Sequence, residues 1–170
     1  MIKLLVTCRD IYGEEETRRS LERAIEGIRV KYTGFRAVLI AEIDEGDPLE
    51  IAEKVYRECT LQIGKLVLVL DEVESRLDYV KEAAVKVGLE HIGEGESFCF
   101  RIFKRGSHSL DKSTPELEKE IGGAIYEKLE EKFQKKPRVD LKNPDVTVLA
   151  EVLGKRTEIG ITRKKWSEAD

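Results

Sequence analysis

Hydrophobic positions in the first half of the chain alternate between strand-like runs and helix-like stripes. Residues 2–7 form a short apolar run of strand length, and residues 14–31 place their apolar side chains on one helical face. Residues 35–43 are apolar on both faces for most of their length, which is typical of a strand inside a covered sheet. These patterns predict a strand, a helix and a second strand that pack together.

The following segments predict two further helices separated by a buried strand. Asp47 is in an N-cap position, Pro48 takes the first helical position, and an acidic residue completes a capping box. Residues 65–70 have the apolar run of a buried strand. Ser75 is expected to cap a helix that ends at Gly88. This alternation of strands and helices predicts an α/β fold.

The second half repeats the alternation after a stretch that contains two glycines. Residues 98–104 predict a strand and residues 105–112 a turn, and Pro115 begins a long helix with a regular apolar stripe. Residues 146–152 and 157–162 predict two strands joined by a glycine-containing hairpin. We therefore expect an α/β protein in two lobes.

Composition and cysteine spacing indicate a folded protein of a reducing compartment. Hydrophobic residues make up 41% and charged residues 38% of the 170 positions, so a core can form beneath an unusually charged surface. Cys8, Cys59 and Cys99 are widely spaced among apolar neighbours, which favours neither a disulfide framework nor a zinc site. The sequence contains no apolar run of membrane-spanning length and no secretion signal. We expect a cytoplasmic location.

The net charge of −4 hides an asymmetry along the chain. Residues 1–90 carry 14 basic and 19 acidic side chains, a net charge of −5, whereas residues 91–170 carry 16 and 15, a net charge of +1. The second half contains two basic clusters, one of Lys132, Lys135, Lys136 and Arg138 and one of Arg163, Lys164 and Lys165. Each cluster fits either a solvated surface or a nucleic-acid contact. Trp166 beside the second cluster fits either stacking on a base or covering a sheet edge.

Groups suited to catalysis are scarce in this sequence. The histidines are His91 and His108, and the adjacent Ser107, His108 and Ser109 point to opposite sides of an extended chain. The sequence contains no phosphate-binding loop motif, and a metal site would need distant histidines and scattered carboxylates. We therefore expect no catalytic residue, no metal ion and no cofactor.

The segment from Arg101 to Ser109 carries the clearest chemistry. A strand brings Lys104 and Arg105 to a glycine turn, where their charged ends should be solvated, and the turn adds backbone N–H groups and the hydroxyl of Ser107. This combination suits phosphate oxygens. A basic hairpin end without a ligand is the alternative that these residues leave open.

Several of these segments together resemble the THUMP domain family. The resemblance rests on residues 100–108 (FRIFKRGSH), 113–125 (STPELEKEIGGAI), 139–145 (VDLKNPD), 148–154 and 160–162. It extends over most of residues 75–165. Residues 1–70 resemble the small ferredoxin-like domain that often accompanies THUMP domains.

The resemblance implies the architecture of the chain. It implies a ferredoxin-like lobe over residues 1–72, packed against a THUMP domain over residues 73–165 with a mixed sheet flanked by helices. Residues 166–170 are expected to form a C-terminal tail.

The resemblance also implies a binding function and the residues that serve it. THUMP domains bind the acceptor end of tRNA in thiouridine synthetases, RNA methyltransferases and deaminases. The positions that match the family turn are Lys104, Arg105, Ser107 and His108, with Arg101 matching less closely. Asp140, Asn143 and Pro144 match a second turn, for which a structural role is implied. RNA contacts from Arg163, Lys164 and Lys165 are expected from charge alone.

In those enzymes a separate domain carries out catalysis, and we expect none here because too little chain follows residue 165 to form one. The chain therefore resembles a stand-alone, non-catalytic adaptor that presents tRNA to a cytidine N4-acetyltransferase. That partner would supply the acetyl-CoA and ATP chemistry. One alternative is a tRNA-recognition subunit for thiolation or methylation, and another is a small RNA-modifying enzyme with His108 as a general base.

Overall fold

The elements of the chain follow the order of strands and helices that an α/β protein requires. The structure is a computed structural model that describes residues 1–166. Its elements are β1 (Ile2–Cys8), α1 (Glu14–Ala24), β2 (Arg29–Tyr32), β3 (Val38–Ile43), α2 (Pro48–Cys59), β4 (Ile63–Glu74), α3 (Leu77–His91), β5 (Ser97–Arg105), α4 (Thr114–Phe133), β6 (Arg138–Val139), β7 (Val146–Leu153), β8 (Arg156–Arg163) and a 3₁₀ helix (Lys164–Trp166).

The chain divides into two units by its internal contacts. The first unit comprises Met1–Val69 together with Lys165 and Trp166, and the second comprises Leu70–Lys164. The boundary predicted from the sequence lies between residues 72 and 73, and the predicted C-terminal tail begins at residue 166. Residues 167–170 of that expected tail lie outside the described part of the chain.

The first unit has the connectivity of a ferredoxin-like domain. Strand β1 lies between β3 and β4 and is antiparallel to both, with Leu4 opposite Ala41 on one side and Leu68 on the other. Strand β2 pairs antiparallel with the outer edge of β3. With α1 and α2 as the connections, the strand order β2-β3-β1-β4 gives the βαββαβ arrangement. This confirms the fold that the resemblance implies for the first half.

Two elements of the first unit are shorter than the hydrophobic pattern predicts. Helix α1 ends at Ala24, and not at residue 31, because Gly27 has a φ of +79° and turns the chain into β2. Strand β3 begins only at Val38, since Ala37 has a φ of +59°, a left-handed conformation outside the strand region. In both places a local backbone turn overrides the apolar pattern.

The second unit is a mixed sheet with two long helices. Strand β7 is parallel to β5 on one side and antiparallel to β8 on the other, and the short β6 is parallel to the start of β5. Strand β8 also neighbours β4, whose residues 70–74 belong to this unit. Helix α3 packs on β7 and β8, α4 packs on β5, and the two helices contact each other. The mixed sheet flanked by helices is therefore confirmed.

The boundaries of α3 differ from those predicted. The hydroxyl of Ser75 lies 2.8 Å from that of Thr157 and does not cap the helix, which begins after Arg76. Gly88 does not end the helix either, because α3 continues to His91. A Cβ at Gly88 would lie 3.0 Å from Cγ2 of Ile125, so the glycine allows α3 and α4 to approach closely.

The three cysteines lie in the interior of the protein and form no disulfide bond. Cys8, Cys59 and Cys99 are each buried and free, and burial raises the pKa of each thiol. These thiols are therefore protonated and poorly reactive at neutral pH.

Among residues 1–166, no helix combines the length and apolar character needed to cross a membrane.

Candidate nucleic-acid interface

The segment that connects β5 to α4 forms a closed turn with basic residues, here called the basic turn (residues 104–112). Gly106 has a φ of +74°, a conformation that glycine adopts without strain, and directly follows Arg105 at the end of β5. Nζ of Lys104 donates a hydrogen bond of 2.9 Å to the carbonyl oxygen of Lys112. This bond joins the two ends of the turn.

The tip of the basic turn is held by His108. Its Nδ1 accepts a hydrogen bond of 3.1 Å from the backbone N–H of Leu110, whose side chain is buried. Ser107 is exposed next to it. The turn is therefore held at both ends and at its tip, and it presents the hydroxyl group of Ser107, a group that can bind a phosphate oxygen, to solvent.

Arg105 forms an ion pair with a buried carboxylate. Its Nη1 lies 2.8 Å from Oε1 of Glu151, a β7 residue whose side chain is fully buried, while 22% of the Arg105 side chain is exposed. The expectation that the charged end of Arg105 is solvated is therefore wrong. A buried carboxylate needs a cation close to it, so Arg105 has a structural function in addition to its predicted contact with RNA.

Arg101 and Glu118 connect β5, α4 and the loop after β6. One nitrogen of Arg101 lies 3.3 Å from Oε1 of Glu118, and the other donates a hydrogen bond of 2.6 Å to the carbonyl oxygen of Leu141. Oε2 of Glu118 accepts a hydrogen bond of 3.1 Å from the backbone N–H of Ile102. These contacts fix the guanidinium of Arg101 beside the basic turn, with 34% of the side chain exposed.

Arg163 of the C-terminal basic cluster lies at the opposite end of the strands from the basic turn. Arg163 is paired with Val146, where β7 begins, whereas Arg105 is paired with Leu153, where β7 ends. Seven residues of strand separate these positions, which corresponds to about 23 Å. The structure therefore brings Arg101, Lys104, Arg105, Ser107 and His108 together and does not bring Arg163 to them.

The three cations of this cluster have partners of their own. Arg163 contacts Glu96 at 3.3 Å and the carbonyl oxygen of His91 at 3.3 Å, and burial together with the Arg163 charge lowers the pKa of His91. Lys165 forms an ion pair with Glu53 in the first unit, and Lys164 also takes part in interactions. Trp166 is only 1% exposed, so its indole is not available to stack on a base.

The second turn predicted from the sequence has the expected structural function. Oδ1 of Asp140 accepts hydrogen bonds from the backbone N–H groups of Lys142 and Asn143, and these bonds hold the pKa of Asp140 below its usual range. Asp145 accepts hydrogen bonds from the backbone N–H and the hydroxyl of Ser97, which lower its pKa in the same way. The two carboxylates fix the loop that leads from β6 to β7.

A groove runs between α4 and β5, close to the basic turn. It has a volume of about 420 Å³, and its lining includes Phe100, Gly122, Gly123 and Tyr126. Two further residues of its lining are strongly exposed, Val139 at 52% and Leu141 at 62%. An adjoining depression of about 620 Å³ is lined by Arg101, Lys104, Arg105 and Thr114, among others.

This groove is not among the sites predicted from the sequence. The signal that points to it is the pair Gly122-Gly123 in the interior of a predicted helix, because glycine is unfavourable there. Lys119 on the same helix also lines the groove. Within residues 1–166, no three side chains of the His, Cys, Asp and Glu types are arranged to hold a metal ion.

Comparison with known proteins assigns the family. The THUMP domain family model matches residues 74–162, which contain the basic turn, the Gly122-Gly123 pair and the loop at Asp140. The chain belongs to the THUMP domain family. Its second unit is therefore a THUMP domain, and its first unit is the ferredoxin-like domain that precedes it.

Relatives of this THUMP protein include enzymes of tRNA modification. A tRNA sulfurtransferase from Aliivibrio fischeri is 30% identical over 153 residues, which are 81% of this chain and 30% of that protein. Two solved structures share the fold. A 4-thiouridine synthetase in complex with RNA and ATP superposes with a TM-score of 0.65 at 22% identity, over 96% of this chain and 41% of that one. A predicted N6-adenine-specific DNA methylase from Listeria monocytogenes superposes with a TM-score of 0.68 at 13% identity, over 94% and 40%.

Proposed function

We propose that this THUMP protein recognises tRNA for an enzyme that modifies it, with thiolation as the first candidate and methylation as the second. The chain spans about a third of the length of its sulfurtransferase relative, so the activity of that enzyme is not transferred with the fold. In this proposal the chain binds and orients tRNA, and an enzyme or a further domain carries out the chemistry.

The observation that carries the proposal is the fixed geometry of the basic turn. Its two ends are joined by Lys104, its tip is held by His108, and Arg105 is anchored on Glu151. A turn that is already ordered loses little conformational entropy when it binds. Its exposed Ser107 and its backbone N–H groups then receive the phosphates of the acceptor end.

The relatives favour thiolation or methylation over the acetylation that the sequence resemblance suggested. The three proteins compared with this chain are named for sulfur transfer, thiouridine synthesis and methylation. Acetylation of cytidine becomes the outcome to be tested against these two. A stand-alone enzyme with His108 as the base is disfavoured, because Nδ1 of His108 is engaged with the backbone N–H of Leu110 within the turn.

The binding step is tested with tRNA and two matched variants. We expect Lys104→Gln to weaken tRNA binding at least fivefold in a fluorescence titration. Lys128→Gln removes the same charge from an exposed position on α4, outside the groove and the turn, and is expected to leave the affinity within twofold of the unchanged protein. Equal losses for both variants would mean diffuse charge attraction, with no specific site at the basic turn.

The type of modification is tested in the source organism. The gene is deleted, and the nucleosides of total tRNA are quantified by mass spectrometry. We expect one thiolated or methylated nucleoside to disappear and to return on complementation. A selective loss of N4-acetylcytidine would instead establish the acetylation adaptor, and an unchanged nucleoside profile would refute a function in tRNA modification.

A further inference from the structure

We propose that this protein forms a homodimer through an apolar surface at one end of the ferredoxin-like unit, here called the loop patch (Ile11, Tyr12 and Leu61). This inference goes beyond the proposed function and does not depend on it. Among residues 1–166, Tyr12 and Leu61 are the two most exposed large hydrophobic side chains, at 83% and 79%, and Ile11 is 49% exposed. Single exposed apolar residues are common on protein surfaces, but a cluster of them marks an interaction site.

The fold brings the two loops of the patch together. The last residue of β1 pairs with the first residue of β4, so the loop after β1 and the loop before β4 lie at the same end of the unit. The backbone N–H of Arg9 donates a hydrogen bond of 2.8 Å to the carbonyl oxygen of Gln62, and its guanidinium donates one of 2.8 Å to that of Thr60. Leu61 lies between these two acceptors and is therefore held beside the loop after β1.

The loop after β1 is a tight turn with apolar residues at its centre. The backbone N–H of Gly13 donates a hydrogen bond of 2.9 Å to the carbonyl oxygen of Asp10, which closes a turn around Ile11 and Tyr12. Oδ1 of Asp10 also accepts a hydrogen bond of 2.9 Å from the N–H of Tyr12. Such turns are usually built from Gly, Pro, Asn, Asp or Ser. Packing within the unit does not explain two apolar residues that are exposed, whereas burial against another molecule does.

The order of this turn favours binding. Its two hydrogen bonds and the two from Arg9 to the neighbouring loop fix the backbone of both loops before a partner arrives. A surface that is already ordered loses little conformational entropy when it is covered. Tyrosine is also among the residues that contribute most to the affinity of protein interfaces.

The charges around the loop patch favour a second copy of this chain as the partner. The segments that adjoin the patch carry three cations and three carboxylates, namely Arg9, Arg36, Arg57, Asp10, Glu14 and Glu58. A two-fold axis brings the same surface together from both protomers, so the surface must complement itself. Equal numbers of both signs around an apolar centre meet that requirement. A nucleic acid would instead require an excess of cations, which these six side chains do not provide.

The dimer is expected to be reversible. The three apolar side chains form only the centre of an interface, because a stable complex buries about 800 Å² and about 20–30 residues on each side. We therefore expect a dissociation constant of about 10 μM.

Sedimentation velocity measured between about 1 and 200 μM protein tests the dimer. We expect Tyr12→Ala and Leu61→Ala each to raise the dissociation constant about thirtyfold, the loss caused by truncating a central interface residue, without a change in melting temperature. Tyr79→Ala removes the same type of side chain from α3, where it is 41% exposed and outside the patch. This control should keep the dissociation constant within twofold of the unchanged protein.

Hydrogen–deuterium exchange below and above the dissociation constant locates the surface without any substitution. We expect residues 9–13 and 60–62 to exchange more slowly in the dimer. A protein that is monomeric at about 200 μM would overturn the inference, and so would a dimer that neither variant weakens or protection confined to other segments. A monomer in which Tyr12→Ala weakens the binding of tRNA or of a modification enzyme would assign the patch to that partner and refute the homodimer.

Discussion

Arg105 shows how a side chain at the edge of the basic turn is also tied to the interior of the sheet. Its guanidinium lies 2.8 Å from a carboxylate that is fully buried, and 22% of its side chain is exposed. Removing the cation leaves Glu151 buried without that partner, which is far more costly than the loss of an exposed charge. Lys104, the adjacent residue, donates a hydrogen bond to a backbone carbonyl oxygen at the surface.

Arg105 and Lys104 are expected to contribute very differently to the stability of the protein. Arg105→Ala should lower the free energy of unfolding by about 3 kcal/mol, as breaking a buried ion pair does. Lys104→Ala should change it by less than about 1 kcal/mol, because its bond is exposed. Urea unfolding at neutral pH measures both. Arg105→Ala combined with Glu151→Gln serves as the control and should recover part of the loss, whereas equal, small effects of the two single variants would contradict the buried pair.

Asp145 makes stability depend on pH at the acid end. Hydrogen bonds from Ser97 lower the pKa of Asp145 in the folded state below its usual value. A carboxyl whose folded pKa is lowered contributes stability that is fully present above its unfolded pKa, about 3.9, and is lost as the pH falls through the folded value.

We therefore expect the free energy of unfolding to decline below about pH 4, with a slope that is reduced in Asp145→Asn. Denaturant unfolding between pH 2.5 and pH 6 checks this. Asp111→Asn, which removes one exposed carboxylate from the basic turn, is the matched control for the loss of a negative charge. An identical slope in all three proteins would show that the Ser97 contacts do not bias the titration.

At the scale of elements, α3 and α4 use glycine in opposite ways. Gly88 of α3 is needed because Ile125 of α4 occupies the space beside it. Gly123 of α4 has open space, so its small size is not required by the packing of the helices. Glycine is therefore required by helix packing at position 88, whereas at position 123 the packing would accept a larger side chain.

Alanine substitutions separate these two situations. Gly123→Ala should raise the free energy of unfolding by about 0.5–1 kcal/mol, since alanine has the better helix propensity. Gly88→Ala should lower it by about 1 kcal/mol, because the crowding at Ile125 outweighs that gain. Thermal melts followed by circular dichroism give the two shifts, and a destabilised Gly123→Ala would remove the argument that packing leaves this position free.

At the scale of the whole molecule, the local charge distribution matters more than the total charge. The chain has a net charge of −4, yet the groove and the depression beside the basic turn are lined by an excess of cations. Arg163 of the second basic cluster lies about 23 Å away along β7. The contribution of residues 163–165 to RNA binding stays a prediction.

The salt dependence of tRNA binding is expected to reveal several phosphate contacts despite the acidic total charge. Each neutralised phosphate contributes about 0.7–0.9 to the slope of log K against log salt concentration, so four contacts give a slope of about −3. Lys104→Gln should make the slope shallower by about 0.7–0.9, the contribution of one phosphate contact. Titrations between low and moderate salt concentration measure both slopes. An affinity that does not depend on salt would refute the prediction that the basic turn binds phosphate groups.

Much of the chain organisation follows from local rules that the residues carry themselves. Asp47 accepts hydrogen bonds from the N–H groups of Leu49 and Glu50 at the predicted start of α2, and the hairpin between β7 and β8 turns at Gly154 with a φ of +67°. The basic turn is also where the sequence places it. Caps and glycine turns involve only a few neighbouring residues, which is why they can be recognised without a structure.

The sequence by itself determined the order of most elements, with β2 (Arg29–Tyr32) missed, together with the position of the basic turn and the resemblance to the THUMP family. Only the tertiary structure decided that Arg105 has a buried partner 46 positions away in the chain, that Trp166 is buried, and that a groove opens beside Gly123. These features depend on which segments meet in space. A hydrophobic pattern predicts that one face of an element is buried. It does not predict which residues pack on that face or where a groove stays open to solvent.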